Sequence, residues 1–325
     1  MHRRSLAAPL ISIALAAAGA PFAASAQGFP ERPVKLIVPY APGGSADIAA
    51  RLVTAEWAKA LGGDMFIENR AGAGGNLGVD FVAKAPADGY TIGLQTVSLA
   101  INPALFPKMP FDTQKDLAPV GMVASSQHVL VVNKDFPAKN VAELIARVKA
   151  SPGKYSYGSA GAGSTFHMAA ELFKATAGVS ILHVPYRGGG PALVDTIAGQ
   201  VDMSFPVLSA ALPQVQGGKL RALGVTGGKR SSLLPEVPTI AEAGLPGYLF
   251  ETWFMAFAPA GTPPAVIEKL NLALNRAMAA PAVRDRMVKE GFDPTPSTPA
   301  AARAKLEHEM PVWAKLVKER GITGE

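Results

Sequence analysis

The pattern of apolar and polar positions repeats one unit along most of the chain: a short β-rich run, a glycine-rich loop and an amphipathic helix. In the first unit the run over residues 34–38 leads through the loop 39–44 into a helix over residues 45–61, whose apolar residues recur near one face. The pair Gly62 and Gly63 is typical of the end of a helix. β-rich runs that alternate with amphipathic helices predict an α/β fold.

A second unit follows directly. A predicted strand over residues 65–68 leads through the loop 69–75 into a helix, and the turn 86–89 leads into a strand over residues 90–94. Prolines and mixed polarity interrupt the pattern over residues 99–119. We interpret that stretch as a connecting segment.

Residues 120–132 are predicted as strand material that carries the chain into a second domain, where the pattern restarts. Asn140 and Glu143 stand at the spacing of a capping box for a helix that ends near residue 150. The further elements predicted for this domain are strands over 155–157, 180–184, 201–205 and 220–225, and helices over 164–177 and from residue 191 onward.

The periodicity is lost over residues 227–247, so we place the return to the first domain near the aromatic run 249–257. Three consecutive helices without strands between them are predicted after it, over 263–279, 281–290 and 300–320, as a cover for the first domain. The predicted architecture is two α/β lobes with a ligand cleft between them and a discontinuous first lobe. Lobe 1 is assigned residues 27–125 plus 249–325, and lobe 2 is assigned residues 126–248.

The first residues resemble an export signal. Arg3 and Arg4 precede an uncharged apolar stretch over residues 6–20, and Ala24-Ser25-Ala26 has the small-x-small pattern that signal peptidases cut. The apolar stretch is shorter than the roughly 20 residues needed to span a bilayer. We therefore predict a signal peptide over residues 1–26, cleavage between Ala26 and Gln27, and a periplasmic mature protein; the general secretory and twin-arginine export routes both stay open.

Composition narrows the remaining classes of protein. The chain has no cysteine, which excludes disulfides, thiolate metal sites, cysteine nucleophiles and the lipid attachment of a lipoprotein. The formal net charge is +6, and removing the two charges of Arg3 and Arg4 with the signal leaves +4. Because the basic residues are scattered among acidic ones, nucleic-acid binding is disfavoured. We expect a freely diffusing monomer without cofactor or metal.

Three glycine-rich loops, over residues 40–47, 158–165 and 185–190, lead from a predicted strand directly into a helix. Free backbone N–H groups and the positive end of the helix dipole suit such loops to anions. The alternative is that Ser45, Ser164 or Asp47 simply caps a helix. Loops of this kind on both lobes favour a ligand cleft, at the carboxyl ends of the strands.

Nucleotide-binding and catalytic motifs are missing from the sequence. The loop 72–75 lacks the third glycine of a dinucleotide fingerprint, no P-loop precedes Lys219 or Lys229, and neither Ser45 nor Ser164 lies in a nucleophile elbow. An enzyme is therefore disfavoured. A periplasmic hydrolase with a dispersed triad and a sensor that feeds a signalling partner remain the alternatives to a transport receptor.

The mature chain resembles the Bug family, the extracytoplasmic solute receptors of tripartite tricarboxylate transporters. The residues that carry the resemblance are Pro30 to Pro33, Ile37 to Gly44 with Asp47, Glu68 to Gly75, Ala87 to Thr91, Gly161 to Ser164 with His167, Glu171 to Phe173, and Val184 to Gly188. The chain departs from the family where it has Arg187 in place of a frequent lysine, and Ala41 and Ala71 in place of frequent prolines. These departures bear on ligand identity more than on fold.

The resemblance implies a periplasmic binding protein of the Venus-flytrap type, type II-like, that captures a small carboxylate-bearing metabolite and delivers it to the permease subunits of a tripartite tricarboxylate transporter. It also implies that the first loop grips the ligand carboxylate, and that Asp202 accepts a hydrogen bond from a ligand hydroxyl or amine. The predicted ligand-binding residues are Tyr40, Gly43, Gly44, Ser45, Ala46, Asp47, Gln95, Ser159, Ala160, Ser164, Thr165, Tyr186, Arg187, Gly188 and Asp202.

Overall fold

The computed structural model of the chain describes residues 28–106 and 108–323. The predicted signal peptide over residues 1–26 and its cleavage point before Gln27 lie outside the described residues. In chain order the described strands and α-helices are β1 (Val34–Val38), α1 (Ser45–Leu61), β2 (Met65–Asn69), α2 (Asn76–Ala83), β3 (Thr91–Thr96), α3 (Ser98–Leu105), β4 (Leu117–Gln127), β5 (Val129–Asn133), α4 (Val141–Ala150), β6 (Ser156–Ser159), α5 (Thr165–Ala177), β7 (Leu182–Pro185), α6 (Gly189–Ala198), β8 (Met203–Ser204), α7 (Leu208–Gln216), β9 (Leu220–Val225), β10 (Glu251–Pro259), α8 (Pro264–Ala279), α9 (Pro281–Lys289), β11 (Asp293–Pro294) and α10 (Pro299–Arg320).

The strands form two mixed sheets. The first has the order β11-β4-β10-β3-β1-β2, in which β1 runs parallel to β2 and β3, and β10 runs antiparallel to β3 and β4. The second has the order β7-β6-β8-β5-β9, in which β6 runs parallel to β7 and β8. Below, lobe 1 means the first sheet with its helices and lobe 2 means the second sheet with its helices.

The chain passes between the two sheets twice, at His128 and again ahead of Glu251. Lobe 1 is therefore discontinuous in sequence and the fold is α/β, as predicted. The exact boundaries at residues 125 and 249 stay predictions.

The ends of the elements follow local chemistry. Helix α1 ends at Gly62, whose φ of 81° lies in the left-handed region that glycine adopts without steric cost. The Asn140 side chain accepts a hydrogen bond from Glu143 N and so caps α4, as the capping-box spacing predicted.

Buried apolar residues form one cluster inside each lobe and a third that joins the lobes. In lobe 1 helix α1 packs on α8, and Trp57 Nε1 donates a 3.0 Å hydrogen bond to Leu270 O. The joining cluster includes Leu99 and Leu105 of α3 together with Met168 and Phe173 of α5. The lobes therefore share packed side chains beside the crossing strands.

Three local predictions were wrong. The segment 99–119 is not a plain connection, because α3 buries Leu99, Ile101 and Leu105 in the core and packs against α10. Helix α7 was not predicted, since Pro213 interrupts its sequence pattern. The short strand β11 lies between α9 and α10, so the three final helices are not free of strands.

His128 lies at the first crossing and is fully buried. Its Nδ1 is 2.7 Å from Phe205 O, directly after β8 of lobe 2, and its Nε2 is 2.6 Å from Thr252 Oγ1 on β10 of lobe 1. Thr226, at the end of β9, donates its N–H to His128 O at 2.9 Å. The two crossings are thus joined to each other by hydrogen bonds.

Candidate functional site

A cavity of about 420 Å³ lies between the two lobes. Lobe 1 contributes the loop between β1 and α1 together with Thr96, and lobe 2 contributes the starts of three helices. The residues that line it are Tyr40, Ala41, Pro42, Gly43, Gly44, Ser45, Ala46, Ile48, Thr96, Ala160, Ser164, Thr165, Phe166, Arg187, Gly188, Gly189, Gly190, Pro191, Leu193, Ser209 and Ala210.

Four helices present their first turns to this cavity. Residues of α1, α5, α6 and α7 line it from their N-terminal ends. The first N–H groups of a helix have no partner within the helix, and side-chain caps are not found at the starts of α1, α6 and α7, which lie within the described residues. Four sets of backbone donors and four positive dipole ends therefore favour an anion at this position.

The loop of lobe 1 is held from behind by Asp47, whose side chain is only 3% exposed. Its Oδ2 accepts a 2.9 Å hydrogen bond from Gly43 N and a 2.8 Å hydrogen bond from Arg51 Nε, and its Oδ1 accepts a 2.9 Å hydrogen bond from Asn69 Nδ2. Asn69 Nδ2 also donates to Tyr40 O at 3.0 Å. Asp47 therefore fixes both ends of the loop and the path of its backbone.

Burial alone would raise the pKa of Asp47, but the hydrogen bonds from Arg51, Gly43 and Asn69 outweigh it and hold the pKa below its usual value. The carboxylate is therefore ionised wherever the protein is folded near neutral pH. Its charge faces Arg51 and leaves the cavity side of the loop free of negative charge.

Tyr40 and Thr96 form the floor of the cavity on the lobe 1 side. The Tyr40 hydroxyl lies 3.2 Å from Thr96 Oγ1, and burial raises the pKa of Tyr40. Gln95, one residue before Thr96, is fully buried and does not line the cavity, and its Oε1 accepts a 3.3 Å hydrogen bond from Thr96 Oγ1. The same Oε1 accepts a 2.7 Å hydrogen bond from Thr96 N.

The loop between β6 and α5 in lobe 2 is held by a buried network. Ser164 caps α5 by accepting a hydrogen bond from His167 N, and Gly163 N donates to His167 Nδ1 at 3.1 Å. Ser159 Oγ lies 2.6 Å from His183 Nε2 and 3.2 Å from Gly161 O. These contacts shape the loop from beneath, as Asp47 does in lobe 1.

The loop between β7 and α6 brings a positive charge to the cavity. Arg187 is exposed and lines it, whereas the neighbouring Tyr186 hydroxyl turns away and donates a 2.7 Å hydrogen bond to Asp195 Oδ2. Burial and the nearby Asp195 carboxylate raise the pKa of Tyr186 to about 12. Tyr186 thus positions the loop while Arg187 faces the ligand space.

Most of the predicted ligand-binding set lines the cavity: Tyr40, Gly43, Gly44, Ser45, Ala46, Ala160, Ser164, Thr165, Arg187 and Gly188. The structure places five others behind it, namely Asp47, Gln95, Ser159, Tyr186 and Asp202, each of which forms a hydrogen bond to a protein group. The buried Nε2 of Gln95 has no hydrogen-bond partner among the described residues.

Asp202 lies at the wrong end of the sheet for its predicted role. It precedes β8, which runs parallel to β6, and its Oδ2 accepts a 2.7 Å hydrogen bond from Ser156 N at the start of β6. The loop that lines the cavity follows the other end of β6. Asp202 therefore anchors the amino end of the strand.

Several lining residues were not in the predicted set. They are Ala41, Pro42, Ile48, Thr96, Phe166, Gly189, Gly190, Pro191, Leu193, Ser209 and Ala210. Ile48, Phe166 and Leu193 read in the sequence as ordinary core positions of helices. Ser209 and Ala210 were missed together with α7, although Leu208, Ala211, Leu212 and Val215 recur at helical spacing.

The arrangement does not favour catalysis. Ser159 and His183 have the short contact of a nucleophile and a base, but Ser159 is fully buried and does not line the cavity. Burial lowers the pKa of His183 to about 4. Across residues 28–106 and 108–323, no cluster of three His, Asp or Glu side chains could hold a metal ion. In that same part of the chain, none of the helices is both long and apolar enough to cross a bilayer.

A family model described as the tripartite tricarboxylate transporter family receptor matches residues 49–322. Among solved structures, the chain is similar to the periplasmic binding protein BugD, with 34% identity, a TM-score of 0.86, and coverage of 91% of this chain and 99% of that one.

Two further structures contain a bound carboxylate. An R. palustris protein with adipate has 36% identity and a TM-score of 0.87, over 91% of this chain and 99% of that one. MatC from Rhodopseudomonas palustris with bound malate has 35% identity and a TM-score of 0.85, over 89% of this chain and 100% of that one. These likenesses cover about nine-tenths of the chain, which includes both sheets.

Proposed function

Because the chain belongs to the tripartite tricarboxylate transporter receptor family, whose members are solute-binding receptors and not enzymes, we propose that it captures a small carboxylate in the cavity between its lobes and delivers it to the membrane permease of such a transporter. The main observation in favour of a carboxylate ligand is that four helix N-termini and Arg187 meet in one cavity. Relatives with adipate and with malate support the same ligand chemistry.

The proposed mechanism is closure of the lobes around the ligand. The carboxylate accepts hydrogen bonds from the backbone of the loop 43–46 in lobe 1, while Arg187 and the start of α5 approach it from lobe 2. Only a closed form makes both sets of contacts, so ligand binding stabilises that form. The permease then recognises the closed receptor.

Calorimetry on the purified chain from Gln27 onward tests whether the ligand is a carboxylate. The probes are acetate, hexanoate, benzoate, malate, adipate and citrate, each compared with its uncharged amide. We expect at least one carboxylate to bind with one-to-one stoichiometry and to raise the melting temperature, since a ligand of the native state stabilises it. Equal binding of a carboxylate and its amide, or no binding by any carboxylate, would contradict the proposal.

The location and the partner need separate tests. We propose export by the signal peptide over residues 1–26, so the periplasmic fraction should contain a chain that begins at Gln27. Uptake of the ligand by cells that carry the permease should require this chain and should be restored by supplying it. Uptake that is unchanged without the chain would contradict a transport role and leave solute binding intact.

A further inference from the structure

The helices that offer backbone donors to the cavity also turn apolar side chains toward it. Ile48 lines it from α1 of lobe 1, and Phe166, Leu193 and Ala210 line it from α5, α6 and α7 of lobe 2. Apolar walls on both lobes would face each other across a bound molecule. A ligand made only of carboxylates and hydroxyls leaves these walls without a matching surface.

Charge in the cavity is limited to one side chain. Within the described residues, Arg187 is the only charged residue on the lining. It takes part in none of the ion pairs found among residues 28–106 and 108–323. One free cation together with the helix starts suits one carboxylate. A second carboxylate against Ile48 or Leu193 would lose its hydration without gaining a partner.

The apolar wall of lobe 2 is held in place by contacts within the protein. Phe166 is 5% exposed, and its ring packs edge-on against His128 with the ring centroids 5.8 Å apart. It also lies so close to Gly189 that a methyl group there would come within 2.7 Å of Phe166 Cζ. The ring is therefore packed between His128 and Gly189.

We propose, on the basis of the proposed function, that the ligand is a monocarboxylate with an apolar body, aliphatic or aromatic. Its carboxylate binds at the helix starts with Arg187, and its body lies between Ile48 and the wall formed by Phe166, Leu193 and Ala210. Each methylene that enters such a contact strengthens binding about fourfold.

Hexanoate and adipate form a matched pair of probes, since they have the same six carbons and differ only in the terminal methyl or carboxylate. Titration calorimetry on the purified chain should show hexanoate binding at least about 10-fold tighter than adipate. The series butanoate, pentanoate, hexanoate should gain about fourfold at each step. Tighter binding of adipate, malate or citrate would contradict the proposal of a monocarboxylate ligand but not the proposal that the chain is a carboxylate receptor. If no carboxylate bound, both proposals would be contradicted.

Two substitutions test where the apolar body of the ligand lies in the cavity. Ile48→Thr shortens and hydroxylates a wall residue, and the control Val194→Thr makes the same kind of change at a position on α6 that is 62% exposed and off the cavity. We expect Ile48→Thr to lower the preference for hexanoate over adipate about 5-fold or more, and Val194→Thr to leave it unchanged. An unchanged preference in a folded Ile48→Thr would overturn the placement, and the chain-length series decides the proposal even if that variant does not fold.

Discussion

The two lobes present the same kind of loop to the cavity but hold it in place by different chemistry. In lobe 1 a single ionised carboxylate, Asp47, is bonded to Gly43, Asn69 and Arg51. In lobe 2 the loop is held by hydrogen bonds between neutral groups, namely Ser159 with His183 and Gly163 with His167. Lobe 1 therefore depends on a charge that must stay ionised, and lobe 2 depends on imidazoles that must stay neutral.

The two lobes also differ in where their charged group lies relative to the cavity. The charged group of lobe 1 lies behind its loop, whereas the charged group of lobe 2, Arg187, lies on the cavity surface. Lobe 1 offers the ligand mainly backbone donors in a fixed geometry, and lobe 2 offers a long side chain that can adjust. We expect substitutions in lobe 1 to change stability and affinity together, and Arg187 substitutions to change affinity alone.

The largest expected effect is that of Asp47→Ala. Removing the carboxylate removes the hydrogen bonds that Asp47 accepts from Gly43 N, Asn69 Nδ2 and Arg51 Nε, at a cost of about 1–3 kcal/mol in the free energy of unfolding. Because the loop 43–46 loses its fixed path, carboxylate affinity should fall on the order of 100-fold, or about 2.7 kcal/mol. Chemical denaturation and calorimetry measure the two effects. The control Asp135→Ala, an exposed residue, should change neither; affinity equal to that of the unmodified chain would show that lobe 1 does not position the ligand.

Arg187→Ala should weaken carboxylate binding about 10-fold or more, because a charge-assisted hydrogen bond contributes about 1.5–3 kcal/mol. The free energy of unfolding should stay within about 0.5 kcal/mol of the unmodified value, since the side chain is exposed. The matched control is Arg284→Ala, which removes the same charge from α9. Calorimetry at low and high salt should show a smaller salt dependence in Arg187→Ala than in Arg284→Ala. Equal salt dependence would exclude direct contact of Arg187 with the anion.

Acid should act on the buried histidines at a higher pH than on Asp47. Burial lowers the pKa values of His128, His167 and His183 to about 4, 3 and 4, so each is neutral when folded and gains a proton on unfolding below about pH 6.5. Stability from these residues is present near neutral pH and is lost as pH falls from about 6.5 toward 4. For the fully buried His128 the loss between pH 7 and pH 5 is about 2 kcal/mol. The stability that Asp47 contributes is lost only at lower pH, below its unfolded value of about 3.8.

Denaturant titrations at pH 7 and pH 5 measure this loss. His128→Gln should reduce the difference between the two pH values, and His308→Gln, at an exposed position on α10, should leave it as it is. If the unmodified chain were equally stable at both pH values, the buried histidines would have to be accessible to protons in the folded state.

The smallest expected effect is that of Gly43→Ala. Gly43 has a φ of 80°, and a methyl group there would meet nothing within 4 Å. The cost is therefore backbone strain alone, about 1–2 kcal/mol, without a steric clash. Denaturation measures the cost in the free energy of unfolding. A loss much above this range would mean that the loop contacts other groups than those found around Asp47.

Local signals in the sequence were enough to predict the strand, loop and helix of each unit. The loop 40–47 was identified as an anion site because glycine before a helix start is visible in consecutive residues. The role of Asp47 in holding that loop was not, because its partner Asn69 is 22 residues away, on strand β2. Contacts that close across the sheet are invisible to a linear pattern.

Strand direction explains another error. The resemblance implied a ligand-binding role for Asp202, but the pairing of β8 with β6 shows that it lies at the amino end of both strands. The apolar walls were hidden for a different reason. An apolar residue that lines a ligand cavity and one that fills a core have the same period along a helix, so Ile48 and Leu193 carried no separate signal.

The hydrogen bonds that join the two crossings have a consequence for engineering. Phe250 N donates to Thr226 O, and Thr226 N donates to His128 O, each at 2.9 Å, so the segment that makes up lobe 2 starts and finishes at neighbouring points. A segment closed in this way can be exchanged as a cassette, with its two splice sites a few ångströms apart. Grafting residues 128–250 from a relative onto this lobe 1 would replace Arg187 and the apolar wall of lobe 2 by the donor's residues in one step, and would make a chimeric receptor whose ligand preference follows the donor.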